Sequence, residues 1–211
     1  MKKLIIAAAA MAVSTGALAG PSWTYVDLGL VFNNYSPDAD EDSVGYALRG
    51  SFGFADLWHV QAAVASTELN GGKSKGGADI TLYDIRGGIH PAVTDNVDFV
   101  LDIGYEGGEA KTNDGSEKLK PSRYDVRTGV RADVGKLELR SFISIGQTDF
   151  DSKTCGPTAD KSCKGRDIRY SVGGQYNFSD AWSLGADYIV NAGDTDVGAQ
   201  GATNVYVRWS F

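Results

Sequence analysis

The sequence predicts an all-β protein: a ten-stranded antiparallel up-and-down β-barrel that crosses a membrane, preceded by a cleavable signal peptide. Three observations lead to this prediction. Apolar and polar residues alternate with a period of two through ten separate runs, which is the pattern of β-strands. One face of every run carries no charge. The chain closes on an alternating strand that ends in the aromatic residue Phe211.

The first five runs are predicted strands because each alternates between clusters of turn-forming residues. They cover residues 23–35, 43–54, 58–68, 79–90 and 97–106. Their uncharged face consists of Val26, Leu28, Leu30, Phe32; Val44, Tyr46, Leu48, Phe52, Phe54; Trp58, Val60, Ala62, Val64; Thr81, Tyr83, Ile85, Ile89; and Val97, Phe99, Leu101, Ile103, Tyr105.

The last five runs follow the same rule and cover residues 123–134, 137–149, 167–178, 182–191 and 203–211. Their uncharged face consists of Tyr124, Val126, Val130, Val134; Leu137, Leu139, Ile143, Ile145; Ile168, Tyr170, Val172, Tyr176, Phe178; Trp182, Leu184, Tyr188, Val190; and Val205, Val207, Trp209, Phe211.

Two other folds share this pattern. A soluble sandwich would bury the apolar face, and a propeller would repeat its turns about every 40 residues, but a propeller blade packs four strands into that span where this chain places two.

The amino terminus predicts a signal peptide over residues 1–19, followed by a single barrel domain over residues 20–211. Lys2 and Lys3 precede an apolar stretch of ten residues, and Ala17-Leu18-Ala19 has the small-x-small form of a cleavage site. A helix needs about 20 apolar residues to cross a bilayer, so this segment is too short to be an anchor. Without the two lysines, 18 basic groups face 27 acidic groups. This acidic balance argues against nucleic acid as a partner.

The polar face separates arginine from lysine. Eight aspartates and eight of the nine arginines lie on this parity, and the predicted lumen charge network comprises Arg49, Arg86, Arg123, Arg127, Arg131, Arg140, Arg169, Arg208, Asp84, Asp98, Asp102, Asp125 and Asp187. The lysines of residues 20–211 fall in the predicted connections. Because the planar guanidinium group holds carboxylates in bidentate geometry, this separation predicts a lumen of fixed, paired charges. The alternative is a narrow open pore with a selective lining.

Strand length and aromatic residues favour a membrane barrel over a soluble sheet. The runs have about ten residues, and about nine to eleven tilted residues span a bilayer. With both termini in the periplasm, one aromatic girdle would hold Phe54, Trp58, Phe178, Trp182, Trp209 and Phe211, and the other Tyr46, Tyr83, Tyr105, Tyr124, Tyr170 and Tyr188. Short and long connections alternate accordingly, as expected for periplasmic turns and external loops.

These features resemble the small outer-membrane β-barrel proteins of Gram-negative bacteria, the broad OmpA and OmpX-like group. A narrower resemblance, to an outer-membrane family once discussed as secreted immune-activating factors, rests on residues 23–29, 94–99 and 206–211. The resemblance implies export through the periplasm to the outer membrane, with lipid, lipopolysaccharide and the barrel-assembly machinery as partners. It also implies that Tyr206, Trp209 and Phe211 form the carboxy-terminal assembly signal. It transfers no catalytic, cofactor-binding or metal-ligating residue, so no enzyme and no cofactor is expected.

Two sequence features fall in predicted external loops. Cys155 and Cys163 are the two cysteines of the chain and lie in one loop, which predicts a disulfide in a protein that passes through an oxidising compartment. An acidic cluster in the first and last loops could attract a divalent cation, although a solvated acidic surface is the simpler interpretation. It comprises Asp38, Asp40, Glu41, Asp42, Asp194 and Asp196.

The histidines do not suggest catalysis. His59 and His90 are predicted to face the lumen at the periplasmic end, whereas known ten-stranded outer-membrane proteases place their catalytic groups at the external rim. We therefore expect two histidines bonded to neighbouring charges. The functional hypothesis is a barrel with a structural or surface-interaction role whose ligand the sequence does not name. A narrow porin-like channel is the second hypothesis and an outer-membrane enzyme the third.

Overall fold

A computed structural model describes residues 22–34, 43–69, 78–112, 118–151, 163–192 and 201–211. Eleven strands run through these residues: β1 Tyr25–Asn34, β2 Ser43–Phe54, β3 Trp58–Leu69, β4 Ala78–Ile89, β5 Ala92–Thr94, β6 Val97–Thr112, β7 Lys118–Val134, β8 Leu137–Asp151, β9 Cys163–Asn177, β10 Trp182–Asn191 and β11 Gly201–Ser210. Ten are long, and β5 is a three-residue strand beside the start of β6. No helix in the described ranges is long and apolar enough to cross a membrane.

The ten long strands form one closed ring. Each pairs antiparallel with its neighbours in the chain, β4 pairs with β6, and the first and last strands, β1 and β11, pair with each other. Asp27 of β1 lies directly opposite Arg208 of β11 across this closing pair. The predicted ten-stranded up-and-down barrel is therefore confirmed.

The two faces of the sheet are those that the alternation predicted. The outward face exposes apolar residues on every long strand, for example Leu28, Ile103 and Val126 at 65%, 69% and 51%. The inward face buries charges, including Arg208 at 0% and Asp102 at 1%. An apolar exterior around a charged interior is the arrangement of a membrane barrel and the reverse of a soluble sandwich.

The two ends of the barrel differ. Four short connections lie at the end where β1 begins and β11 finishes, and we call this the turn end. The tightest is Gly135-Lys136 between β7 and β8, where Gly135 has a φ of 67° that favours glycine. The opposite end, which we call the loop end, carries the other five connections, over residues 35–42, 70–77, 113–117, 152–162 and 193–200, which lie outside the described residues.

Exposed aromatic rings mark both ends. At the turn end the rings of Trp182 and Trp209 lie 6.3 Å apart, and those of Trp209 and Phe211 lie 4.9 Å apart. At the loop end the rings of Tyr83 and Tyr105 lie 6.1 Å apart, and Tyr124 follows 4.8 Å from Tyr105. The two girdles predicted from the sequence are present.

Three strands extend four to six residues beyond their predicted bounds. The prediction ended one strand at residue 106 and began the next at 123, whereas β6 continues to Thr112 and β7 begins at Lys118. Likewise, β9 begins at Cys163 and not at 167. Lys111, Lys118, Lys120 and Lys164 therefore lie on strands, so the expectation that every lysine lies in a connection was wrong. The alternation weakens there because both faces become polar beyond the membrane-facing segment.

Candidate functional site in the lumen

The lumen holds the charged residues that the sequence placed there. All eight arginines of the polar parity point inward, and each lies within 4.0 Å of at least one carboxylate. The five predicted aspartates lie among them: Asp84 beside Arg86, Asp125 beside Arg123, Asp102 beside Arg127, Asp187 beside Arg140, and Asp98 beside Trp23. The lumen is therefore charge-paired.

At the turn end, Trp23 fills the mouth of the barrel. Its ring is stacked 4.2 Å from the ring of His59 and 4.2 Å from that of His90. The guanidinium group of Arg131 lies 4.1 Å from the ring centroid, in cation–π geometry. The indole Nε1 donates a 2.8 Å hydrogen bond to Asp98 Oδ2. The residues before β1 thus place an aromatic ring at the turn end of the lumen, in contact with two histidines and one arginine.

The two histidines lie beside lumen carboxylates, and His90 Nε2 lies 3.3 Å from the backbone oxygen of Trp58. His59 Nε2 lies 2.8 Å from Asp102 Oδ1, and both side chains are fully buried. His90 lies just beyond the end of β4, with Nδ1 3.9 Å from Asp98 Oδ2. Burial lowers the pKa of His90, and the neighbouring His59 lowers it further. His90 is therefore preferentially neutral in the folded protein.

One side of the mid-lumen is organised around Asp27. Its carboxylate accepts hydrogen bonds from Arg208 Nε at 2.7 Å and Arg208 Nη2 at 3.0 Å. Arg49 Nε donates a third at 2.7 Å. The Arg208 guanidinium also lies 3.4 Å from the centroid of the Tyr25 ring, while Tyr25 Oη accepts a 2.7 Å bond from Gln61. Asp27 is thus a shared partner of the two arginines on the strands beside it.

A second group of bonds crosses the lumen. Arg140 of β8 bonds to Asp187 of β10 at 2.6 Å and to the hydroxyl of Tyr206 on β11. Arg49 of β2 reaches Asp187 at 3.3 Å, although three strand-to-strand steps separate β2 from β10 around the ring. These contacts join strands that are not neighbours in the ring through the interior.

Toward the loop end, Arg123 is the shared partner. Its Nε donates to both oxygens of Asp167 at 2.9 Å, and its Nη1 contacts Asp125 and lies 3.3 Å from Glu106. Arg169 of β9 reaches Glu106 of β6 at 2.5 Å. Because Glu106 and Arg169 lie three strand steps apart, this layer also bridges the interior.

A cavity of about 80 Å³ lies in the mid-lumen, lined by Arg49, Gln61, Arg127 and Phe142 among others. Since a water molecule takes about 30 Å³ of liquid volume, the cavity has room for only a few.

Sequence reasoning did not single out Trp23 and Tyr25 as lumen residues, and it placed Tyr206 in the assembly signal without assigning it to a face. Tyr206 points inward and is 1% exposed, whereas Trp209 faces outward. The sequence does contain a signal for their inward orientation, because Trp23 and Tyr25 share the parity of Asp27, and Tyr206 shares that of Arg208. The assembly role of Tyr206, Trp209 and Phe211 stays a prediction.

Several predicted features lie outside the described residues. These are the signal peptide over residues 1–19, the acidic cluster of the first and last loops, Cys155 and the side chain of Cys163. Within the part of the chain that the structure describes, no group of three or more His, Cys, Asp or Glu side chains could hold a metal ion.

Comparison with known proteins gives a family match over nearly the whole chain. The profile described as "Outer membrane protein beta-barrel domain" matches residues 5–211. Comparison with curated protein sequences returned no match.

Three solved structures illustrate the resemblance of the fold. The attachment invasion locus protein Ail of Yersinia pestis, in complex with the heparin analogue sucrose octasulfate, is 16% identical, with a TM-score of 0.41 over 89% of this chain and 97% of its own. The KdgM porin is 14% identical, with a TM-score of 0.41 over 89% and 99%. The outer-membrane protease OmpT of Escherichia coli is 10% identical, with a TM-score of 0.49 over 94% and 99%. Similarities this low carry no argument about what this chain binds.

Proposed function

Because the chain belongs to the outer-membrane β-barrel protein family and lies in the outer membrane, we propose that it is a structural barrel with a closed lumen, which presents its longer connections for surface interactions. One observation carries this proposal: every lumen arginine is paired, and several pairs cross the interior. A side chain that is attached to one strand and ion-paired with another strand across the lumen cannot move aside for a solute without breaking a buried ion pair. Removing one partner of such a pair costs several kcal/mol.

Trp23 supports the closed-lumen proposal independently. Its ring covers the turn end between His59, His90 and Arg131, so a solute leaving toward the periplasm would have to displace it. The two barriers, the charge layers and the ring, have different chemistry and can be removed separately.

A narrow channel is the second candidate, and the mid-lumen cavity favours it. The cavity is lined by guanidinium groups and would suit small anions if the layers above and below it opened. An enzymatic role has weaker support, because the His59–Asp102 pair has 0% side-chain exposure and lies behind Trp23, out of reach of a substrate.

The proposed surface role belongs to the loop end. In this proposal residues 1–19 are removed on export, residues 20–211 form the barrel, and Cys155 and Cys163 form a disulfide within one external connection. Loops on a rigid scaffold are where binding usually occurs. The proposed partners are outer-membrane lipid and lipopolysaccharide, the barrel-assembly machinery during insertion, and a surface ligand whose identity is open. A divalent cation at the acidic loops remains a candidate.

Conductance of the refolded barrel in a planar bilayer tests the proposal. We expect the wild-type protein to be silent, and a variant with Trp23→Ala, Arg49→Ala and Arg127→Ala, which removes the ring and enlarges the cavity, to conduct. Arg166→Ala is the matched control, because Arg166 is the one arginine off the polar parity and is exposed. A steady wild-type current whose ion selectivity changes with Arg127 would instead show a channel.

A further inference from the structure

The inward charges differ in exposure along the barrel axis. Toward the turn end, the side chains of Arg208, Glu138 and Asp102 are 2% exposed or less. Toward the loop end, those of Arg169 and Glu106 are 28% and 26% exposed. Solvent therefore reaches the interior from the loop end. We call this solvent-exposed part of the lumen the vestibule, and the charge layers below it separate it from the turn end.

One wall of the vestibule is uncharged. It is formed by β10, β11, β1, β2 and β3, whose described inward positions closer to the loop end than Asp187 and Arg49 carry neutral side chains. Several of these are apolar, among them Val31, Ala63 and Ile189. An apolar group of a solute would meet no charge on this wall.

The facing wall, on β4 and β6–β9, is charged but nearly balanced. Three guanidinium groups and four carboxylates form one layer there: Arg86, Arg123, Arg169, Asp84, Glu106, Asp125 and Asp167. Below them, the partly exposed Arg49 is paired with Asp27 and Asp187. Arg127 is paired with Asp102. A solute of one sign would meet repulsion as well as attraction on this wall, whereas a solute that carries both signs can pair with both.

Arg169 and Glu106 present both signs at one place. Arg169 Nη1 lies 2.5 Å from Glu106 Oε2, and this is the most exposed ion pair that the described residues form in the lumen. Arg169 also meets Asp167 at 3.5 Å, and its guanidinium group has more donors than these two contacts use. Glu106 Oε1 lies 3.3 Å from both Arg86 and Arg123, whereas Oε2 can accept a second hydrogen bond. The pair can therefore bind one further carboxylate and one further ammonium group.

An apolar pocket lies one inward row below this pair. The next row toward the turn end after Arg169 is Phe142 of β8, Ser171 of β9 and Ile189 of β10, which are partners in register. The small Ser171 separates the two larger side chains, and all three line the mid-lumen cavity. Two residues along a strand cover about 7 Å, so the apolar pocket is within one side-chain length of Arg169. The cavity has room for a few water molecules, or for a small aliphatic group in their place.

We propose that the vestibule binds a small zwitterion with an apolar side chain, of the class of the aliphatic α-amino acids. Arg169 receives the carboxylate, Glu106 receives the ammonium group, and the aliphatic side chain displaces water beside Phe142 and Ile189. An α-amino acid carries its two charges on one carbon atom, which matches the adjacent positions of Arg169 and Glu106. The inference rests on the proposed closed lumen, in which the site opens toward the loop end alone.

Saturation-transfer NMR titrations of the refolded barrel in a non-ionic detergent test the site with four probes. Leucine carries both charges and an aliphatic side chain. Leucinamide lacks the carboxylate, N-acetylleucine lacks the ammonium group, and glycine lacks the side chain. Leucine should bind at least about tenfold more tightly than each of the others, because each of them loses either a charge-assisted hydrogen bond or the burial of an aliphatic group.

Two variants with matched controls locate the site. Arg169→Gln should weaken leucine binding by about tenfold or more, whereas Arg166→Gln, at an exposed outward position of the same strand, should bind as the wild type does. Ile189→Ala should weaken leucine binding several-fold, whereas Val190→Ala, the next residue on the outward face, should not change it. Differential migration of unheated and boiled samples confirms that each variant is folded.

Three results would overturn the proposal: no leucine binding by the wild type, binding of leucinamide or N-acetylleucine as tight as that of leucine, or unchanged leucine binding in Arg169→Gln or Ile189→Ala. The closed lumen is tested separately in the planar bilayer. A conducting wild-type barrel would reject the closed lumen, whereas the titration in detergent reports on the site whether or not the lumen conducts.

Discussion

Replacing Arg208 should destabilise the barrel more than replacing any exposed charge. The side chain is fully buried, donates two hydrogen bonds to Asp27 and covers the ring of Tyr25. Arg208→Met keeps a long aliphatic stem but removes the charge. The size of the destabilisation depends on which contacts the former partners of Arg208 keep in this variant.

Asp27 is left with one cation. Arg49 still bonds to it at 2.7 Å, so the carboxylate is under-compensated but not isolated. Glu138, which lies 3.9 Å from Arg208, keeps Arg131 at 2.8 Å. Breaking a buried pair by removing one partner costs about 3 to 5 kcal/mol, and the retained Arg49 favours the lower end. The lost cation–π contact adds about 0.5 to 2 kcal/mol. We therefore expect a loss of about 3 to 5 kcal/mol in the free energy of unfolding.

Urea unfolding of the barrel in lipid vesicles, followed by tryptophan fluorescence, measures this loss. Arg166→Met is the matched control and should change the free energy of unfolding by less than about 1 kcal/mol, because Arg166 is exposed. The double variant Asp27→Asn, Arg208→Met should lose less than the sum of the two single variants, with a coupling of at least about 1 kcal/mol. If Arg208→Met were as stable as Arg166→Met, the lumen pairs would not stabilise the barrel and the interior would behave as a hydrated pore.

Four further predictions follow from other parts of the molecule. Leu101→Arg, near mid-membrane on the outward face, should cost about 2 to 4 kcal/mol in the same unfolding assay, and equal tolerance of Leu101→Ala and Leu101→Arg would show that the faces are assigned wrongly. Restoring Trp23 in the conducting variant that lacks Trp23, Arg49 and Arg127 should lower planar-bilayer conductance, and an unchanged current would mean that the ring does not restrict the lumen. The pKa of His90 is lower in the folded state than its unfolded-state value of about 6.5, so its contribution to stability is present above that value and is lost as the pH falls below it. The free energy of unfolding should therefore change more between pH 7 and pH 5 in the wild type than in His90→Gln. Cys155→Ser should increase protease cleavage of the 152–162 connection on whole cells without preventing insertion, whereas labelling of both cysteines without reductant in the native protein would rule out the disulfide.

The strands and their faces could be predicted because they depend on local alternation. A strand turns each successive side chain to the opposite face, so the parity of Asp27 or Leu101 follows from the residues beside it. The strand ends near Lys111 and Lys118 were missed because the hairpin there leaves the membrane and both faces become polar.

The partners inside the lumen could not be predicted in this way. Arg140 contacts Tyr206, and Arg49 contacts Asp187, across strands that are not neighbours, and such contacts depend on the tilt of the strands and on where long side chains bend. Gly104 shows the same limit: a Cβ atom there would lie 2.6 Å from Asp125 Oδ1, a crowding that no feature of the local sequence indicates.

The seam between β1 and β11 has a consequence for the order of assembly. Asp27 and Arg208 are 181 residues apart in the chain yet directly opposite in the closed ring. The bond between them can form only after the last strand arrives, so a nascent sheet that lacks β11 holds Asp27 with an incomplete set of partners and Tyr25 without its cation. Ring closure therefore pairs the backbone N–H and C=O groups of the two edge strands and brings Arg208 to the buried carboxylate of Asp27 in the same step. A folding intermediate in which β1 and β11 have not yet paired should be less compact, and its β1 more open to proteolysis, than an intermediate in which a different pair of strands is still unpaired.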